Sequence, residues 1–448
     1  MDYSKMLGTI RGYSLDRKLA VYGKDFDFIF MPPYDNREYD FRESIKDNYL
    51  WMETKSGQRI AIHFPQFTEV HPGKYTGESK GFFQFVNFQS DPLPDHITEI
   101  KFSGGILDYL FDGSRGVLLR EGEDILTAVS REKLEYTVTR NGLDTPGKII
   151  IGVQQREVDF NDFNQLKTKE VYMAYQFDNA VALNVVLDFF SLTLLLARFM
   201  SNSYEVGFRE INVTSTVGRV KYPDGTLYFK KQYDDQNQAP GFNITFQDLG
   251  WMLINLLAIF TRINMTKKRK GPDFALGFIP RSNETGYMDN ETICSISGSL
   301  EYEASQHLKD NTLKNADVQA FGDAVLKWMK QKETQAQYNL TQGAMSVIAG
   351  SIRNWSLPAK ERFAALENMF KDAVEILINQ SLGKEYYDIG KFVKYRNSLM
   401  HDAAMPSTIE VRNTATVLRG LVYCSILNRA GMSEDMITQL CREGRINT

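Results

Sequence analysis

The sequence predicts an α+β multidomain chain: a β-rich N-terminal region, then a mixed segment, then an all-helical C-terminal bundle. Three observations carry this. Short aromatic and β-branched runs, separated by Gly, Pro, Asn and Asp, fill residues 1–165. Two longer apolar runs stand out between 166 and 315. From 316 to 448, apolar residues recur at i+3/i+4 spacing with helix start and stop signals between them. A chain of 448 residues is long enough for two or three domains with cores of their own, and 1–165, 166–315 and 316–448 are the expected parts.

In the first part, Leu19–Tyr22, Phe26–Phe30, Arg59–His63 and Phe82–Val86 read as strands. Glu135–Thr139 alternates, Asn141-Gly142 offers a turn, and Lys148–Val153 reads as a buried strand. Many short strands with polar turns argue for a sandwich-like or barrel-like unit. Phe82, Phe83, Phe85 and Phe88 could form a stacking platform. Such alternation more often marks the core face of a strand.

The mixed segment opens with a helix over 178–200. Its stretch Val181–Phe199 is nearly long enough to span a bilayer, but Asn184 and Asp188 lie inside it and Arg198 near its end. A buried core helix is the expectation, with no membrane partner. Val220–Tyr222 and Thr226–Phe229 flank Pro223-Asp224-Gly225 and predict a hairpin. Phe246–Asn264 predicts an apolar helix that runs into Lys267–Lys270. That basic run could meet phosphates, or simply be a solvated loop where cations suit a helix C-terminus. The stretch to about 315 shows no clear periodicity and reads as a loop or linker.

In the third part, Val318, Phe321, Val325 and Trp328 form one stripe, and Met345, Ile348, Ile352 and Trp355 another. Ser356 and Pro358 mark a start, and Phe363, Leu366, Phe370, Ala373 and Leu377 continue until Gly383. Ser407 with Glu410 reads as a capping box for the stripe Val411, Ala415, Leu418, Val422 and Ile426, which ends at Gly431. A short helix from Ser433 to about Cys441 closes the chain. Short loops predict antiparallel neighbours in a bundle.

Composition narrows the function classes. A net charge of −4 excludes a chain that binds nucleic acid by its overall charge, so such a site must be a local patch. Three cysteines far apart suit a reducing compartment and make no CxxC zinc site. The N-terminus has no continuous apolar run of the kind a secretion signal needs, which predicts a cytoplasmic protein. No phosphate-binding glycine loop occurs, and His63, His71, His96 and His307 make no metal signature, so no cofactor or metal is expected.

One stretch carries chemistry. In Lys384–Asp402, Ile389, Phe392, Val393, Leu399 and Met400 define one face of a helix, and helical spacing places Arg396 in the middle of it. A guanidinium is always charged, so Arg396 must either pair with a buried acid or point into a cleft that holds an anion. Asn397 follows it and His401 stands five residues on, 140° round an ideal helix. Histidine is a natural acid/base near neutral pH, and arginine would neutralise a phosphate. In the plainer reading Arg396 pairs with Glu367 or Glu375, and His401 merely ends a helix.

A C-terminal helical module carrying Lys394-Tyr-Arg396-Asn397-Ser-Leu-Met-His401-Asp resembles the HEPN superfamily, and within it the ApeA-type proteins of bacterial anti-phage systems. Arg396, Asn397 and His401 match its Arg-x4–6-His hallmark with a polar residue after the arginine. The resemblance covers about 316–448 and implies a HEPN helical bundle there. It implies a metal-independent endoribonuclease acting as a homodimer, with the two motifs facing each other. His401 would move protons, Arg396 would stabilise the pentavalent phosphate, and Lys391 and Lys394 would contact the RNA. It also implies abortive infection triggered by a phage-derived partner, with the N-terminal region sensing or restraining. Some members bind RNA or nucleotides without cutting, so a non-catalytic RNA-, nucleotide- or protein-binding module stands as the alternative.

Overall fold

The structure is a computed structural model. It describes residues 10–14, 20–24, 27–31, 45–46, 49–54, 56–63, 68–71, 74–78, 81–85, 97–111, 118–119, 134–138, 145–160, 164–203, 206–217, 220–229, 244–265, 279, 288–308, 316–353, 358–401 and 406–446. The chain divides into two compact units, 1–262 with 281–283, and 263–280 with 284–448. The segment 166–315 is therefore shared between them. A large antiparallel sheet dominates the first unit and helices the second, an α+β arrangement.

The sheet of the first unit is built from β1 (Ile10–Ser14), β2 (Ala20–Lys24), β3 (Asp27–Met31), β4 (Ile45–Lys46), β5 (Tyr49–Thr54), β6 (Arg59–His63), β7 (Thr68–His71), β8 (Lys74–Glu78), β9 (Gly81–Phe85), β10 (Ile97–Ser103), β11 (Leu118–Leu119), β12 (Leu134–Val138), β13 (Gly147–Phe160), β14 (Asn164–Val181), β15 (Glu210–Val217) and β16 (Val220–Phe229). Their order is β12-β13-β14-β10-β15-β16-β9-β6-β5-β1-β2-β3-β8-β7, with β11 on β14 and β4 on β5. The strands expected at 19–22, 26–30, 59–63, 82–86, 135–139 and 148–153 all form within a residue or so of those bounds, the last continuing to Phe160. The Asn141-Gly142 turn lies outside the described residues.

Pro223-Asp224-Gly225 does not turn the chain. It lies inside β16, where the register to β15 slips between Val213 opposite Gly225 and Thr214 opposite Pro223. The extra residue is taken up as a bulge. On its other side β9 pairs only with Gly225–Phe229, so Pro223 lies beyond that ladder and its missing N–H breaks no bond there.

Alternation gives the sheet two faces. Ile100, Phe102, Met173, Tyr175 and Phe177 are buried on one. Against it packs α2 (Leu183–Ser201), which follows the single turn α1 (Leu107–Leu110). The Phe189 ring lies 4.7 Å from Tyr175 and 5.0 Å from Phe177. The helix α2 is long and apolar enough to cross a membrane, yet 61% of it is buried in the protein, with Asn184 and Asp188 on its exposed side. It is a core helix, as its interior carboxylate suggested. On the opposite sheet face, Gln176 donates to Glu99 at 2.7 Å and Gln154 to Glu170 at 3.1 Å.

The expected helix 246–264 is broken. Gly250, at φ 49°, separates α3 (Phe246–Leu249) from α4 (Met252–Met265), and a Thr245/Asp248 capping box starts the first piece. Lys267–Lys270 lie outside the described residues.

The second unit departs from expectation at its start. The supposed linker contains α5 (Asn290–His307), capped by Asp289, whose carboxylate accepts from Thr292 N at 2.7 Å. Its buried face is Ile293, Ile296, Leu300 and Ala304. Three helices follow: α6 (Ala316–Met329), α7 (Lys332–Gln337) and α8 (Gln342–Arg353). They pack chiefly on one another. Of the residues expected to form their core stripes, Phe321, Trp328 and Ile348 are exposed. The bundle itself is α5 with α9 (Ala359–Met369), α10 (Lys371–Gln380), α11 (Ile389–His401), α12 (Ile409–Ala430) and α13 (Glu434–Arg442). The single helix expected from Pro358 to Gly383 is two, parted at Phe370, where φ is −116° and ψ 34°. The cap of α12 is Thr408 rather than Ser407, and Gly431 ends it in the left-handed conformation. Ser433 caps α13 through Met436 N.

Candidate active site

The candidate site is built on α11. Its start is held by α12: Asp388 N donates to Thr414 Oγ1 at 2.9 Å, and Asn413 accepts from Leu382 N at 3.0 Å and donates to Tyr386 O at 3.2 Å. Asn413 and Thr414 are themselves buried, so they fix the turn before α11 with satisfied polar groups. The Asp388 carboxylate accepts from Lys391 N at 3.0 Å and so caps the helix.

Burial on α11 centres on Phe392 and Tyr395, not on Arg396. The Tyr395 hydroxyl donates to Asn290 Oδ1 at 2.8 Å and fastens α11 to the first turn of α5. Arg396 therefore sits at the flank of the buried face, with a quarter of its side chain exposed. The sequence had counted Ile389 and Val393 as core, but both are only half-buried.

Arg396 has two partners. Its Nη1 donates to Asn397 Oδ1 at 3.1 Å, and its Nη2 stands 2.9 Å from Glu301 Oε1. The acid is not Glu367 or Glu375 but comes from α5. Glu301 is shared: Arg362 Nη2, from α9, lies 3.8 Å from the same oxygen. That distance is an ion pair but no hydrogen bond, and the buried Arg362 Nε finds no hydrogen-bond partner at all. Cys294, one helical stretch before Glu301, feels Arg396 too: burial pushes its thiol up, and the guanidinium offsets part of that.

The other motif residues lie on the solvent side of the helix or at its end. Asn397 and Lys394 are exposed. Lys391 pairs with Glu410 at 3.2 Å on the surface. Glu410 is held down to about 2, first by its own backbone N–H, then by the Thr408 hydroxyl and Lys391. His401 closes the last turn of α11, and its side chain lies outside the described residues. The structure thus brings together Arg396 and Asn397, and spreads Lys391 and Lys394 along the solvent side.

Sequence reading missed Glu301, Arg362 and Tyr395. The Asp289 cap and the period Ile293, Ile296, Leu300, Ala304 were the available signal for α5, masked by three serines and a glycine between them. Near the Tyr395–Asn290 contact a cavity of about 450 Å³ opens between the first turns of α5 and α12, lined by Asn290, Glu291, Ser407 and Arg412 among others. Among the described residues no group of three or more His, Cys, Asp or Glu side chains could hold a metal ion.

A second polar cluster ties α5 to α12. Glu303 accepts from Ser425 Oγ at 2.6 Å and from Arg429 Nη1 at 2.5 Å, and His307 Nε2 lies 3.2 Å from Ser425 O. Burial pushes the Glu303 carboxyl up against the pull of Arg429 and Ser425, and lowers His307. Compared with known proteins, this chain matches no family model, no curated protein and no solved structure.

Proposed function

We propose that the second unit is a HEPN-type, metal-independent endoribonuclease of anti-phage defence, working in the cytoplasm by abortive infection. The observation that supports this is the Arg396–Asn397 pair on a surface-accessible flank of the helix that ends at His401. In this reading the 2′-hydroxyl of RNA attacks the adjacent phosphorus. The 2′-O–P bond forms as the P–O5′ bond breaks, leaving a 2′,3′-cyclic phosphate and a 5′-hydroxyl. His401 handles the protons, and Arg396, oriented by Asn397, stabilises the pentavalent phosphate. Lys391 and Lys394 supply backbone contacts. A homodimer would set two motifs face to face, which suits the 140° offset of His401 from Arg396 on an ideal helix. The β-rich unit would sense a phage-derived trigger or restrain the nuclease.

The test is induced expression of wild type, His401→Ala and Arg396→Ala, with cellular RNA profiled for new ends. Growth arrest and new ends in wild type alone are expected. Full cleavage by both variants removes the assignment. One observation favours the other reading, a non-catalytic RNA-, nucleotide- or protein-binding module: Arg396 already has a carboxylate partner in Glu301. Under that reading the purified protein binds RNA and leaves it intact.

A further inference from the structure

Two arginines from different helices converge on one oxygen. Arg396 of α11 and Arg362 of α9 both face Glu301 Oε1 of α5, at 2.9 and 3.8 Å. Two guanidinium charges against one carboxylate leave the group with a net charge of +1. The deficit shows in the geometry. Arg362 makes an ion pair without a hydrogen bond, and its Nε donor is buried and unused. All three side chains are 19–29% exposed, so the cluster reaches the surface and is not sealed in the core. Guanidinium forks bind carboxylate and phosphate with the same planar geometry. A carboxylate held between two arginines therefore fills the place that a phosphodiester would take.

We infer that Arg362 and Arg396 form a seat for an RNA phosphodiester, and that Glu301 is its internal occupant, which an incoming phosphate must displace. This rests on the endoribonuclease reading and adds to it a second phosphate-holding residue, Arg362, and a built-in restraint, Glu301. The restraint is electrostatic. Swinging Glu301 out into water exchanges one anion for another, and the two cations stay paired throughout. Competition of this kind weakens RNA binding without abolishing it, because the seat offers the phosphate more donors than Glu301 uses.

Binding is measured by fluorescence anisotropy of the full chain with a labelled single-stranded 2′-O-methyl RNA, which lacks the attacking hydroxyl and stays intact. Glu301→Gln keeps the shape and removes the charge, and should bind about tenfold tighter, the scale of one hydrogen bond to a charged group. Arg362→Gln should bind about tenfold weaker by the same measure. If Glu301 merely fastens three helices, Glu301→Gln lowers the unfolding midpoint and leaves binding unchanged or weaker, which overturns the proposal. Should Glu301→Gln fail to fold, Arg362→Gln decides alone: unchanged affinity in the folded variant overturns the seat. Cleavage is scored separately on unmodified RNA. If binding shifts as expected and no form of the protein cleaves, the seat stands and the nuclease reading falls. If wild type cleaves and binding responds to neither change, the nuclease reading stands and the seat falls.

Discussion

Arg429 donates to Glu303 at 2.5 Å across the interface of α12 and α5, where only 3% of the Glu303 side chain meets solvent. Ser425 satisfies the other carboxylate oxygen at 2.6 Å, and the Arg429 guanidinium lies 5.7 Å from the Tyr302 ring. The pair is buried, and removing either half alone leaves the other half stranded.

Arg429→Met should therefore cost the second unit about 3–5 kcal/mol in chemical denaturation, the range for a stranded buried charge. Burial raises the Glu303 carboxyl even with its partners present. An acid with a raised folded value withdraws stability as pH climbs above the unfolded value, so the loss in Arg429→Met should grow above about pH 4.3. Adding Glu303→Gln should recover much of it. A single variant as stable as wild type would show that the pair carries no such weight.

His307 should make the same unit acid-sensitive. Burial lowers it below the ordinary histidine value. Its contribution is complete above the unfolded value near 6.5 and is lost as pH falls through that value toward the folded one, at most about 1.4 kcal/mol per pH unit. Glu303 titrates with the opposite sign, so the quantity to measure is the difference between wild type and His307→Gln. The unfolding midpoint of wild type should drop more steeply between about pH 7 and 5, and parallel curves would exclude His307 as the cause.

Gly420 on α12 lets Leu377 of α10 come close: a Cβ there would stand 2.6 Å from Leu377 Cδ1. Leu377 is fully buried and has little room to retreat. Gly420→Ala gains helix propensity but overpacks the contact, and a net loss of about 1 kcal/mol is expected. Leu377→Ala in the same chain should make room, so the double variant should lose less than the sum of the singles.

In the first unit, Gly105 at φ 66° would place a Cβ 2.6 Å from the backbone oxygen of Gly207. That oxygen accepts from Ile106 N at 3.1 Å, so the two backbone strands cannot separate without breaking the bond. Gly105→Ala should cost about 1–3 kcal/mol. Thermal unfolding of wild type and variant decides it: equal midpoints would mean the turn can relax.

What could be read from the sequence was what local chemistry decides. Arg59–His63 forms as a strand, α12 ends at Gly431, and Ser433 caps α13, because each signal needs only its neighbours. Pro223-Asp224-Gly225 has equally strong local chemistry, yet pairing to β15 carries the strand through it with a bulge in place of a turn. The helix α5 was hidden because its inner surface includes Ser297, Ser299 and Glu303. Glu303 is made tolerable there by partners 122 and 126 residues away. The partner of Arg396 is likewise 95 residues distant. The motif Arg396-Asn397 was legible as a pattern, but the acid it faces was not.

The long span between α5 and α12 also sets an order of assembly. The helices α9 to α13 are consecutive and can collapse through short loops, whereas α5 must close a loop of more than a hundred residues to reach Ser425. It should therefore dock late in folding, and pulse-labelling hydrogen exchange during refolding should find its amides protected after those of α12. Glu301 rides on that helix. Until α5 docks, Arg396 and Arg362 have no carboxylate between them, so the last helix to reach the bundle is the one that brings their counter-charge.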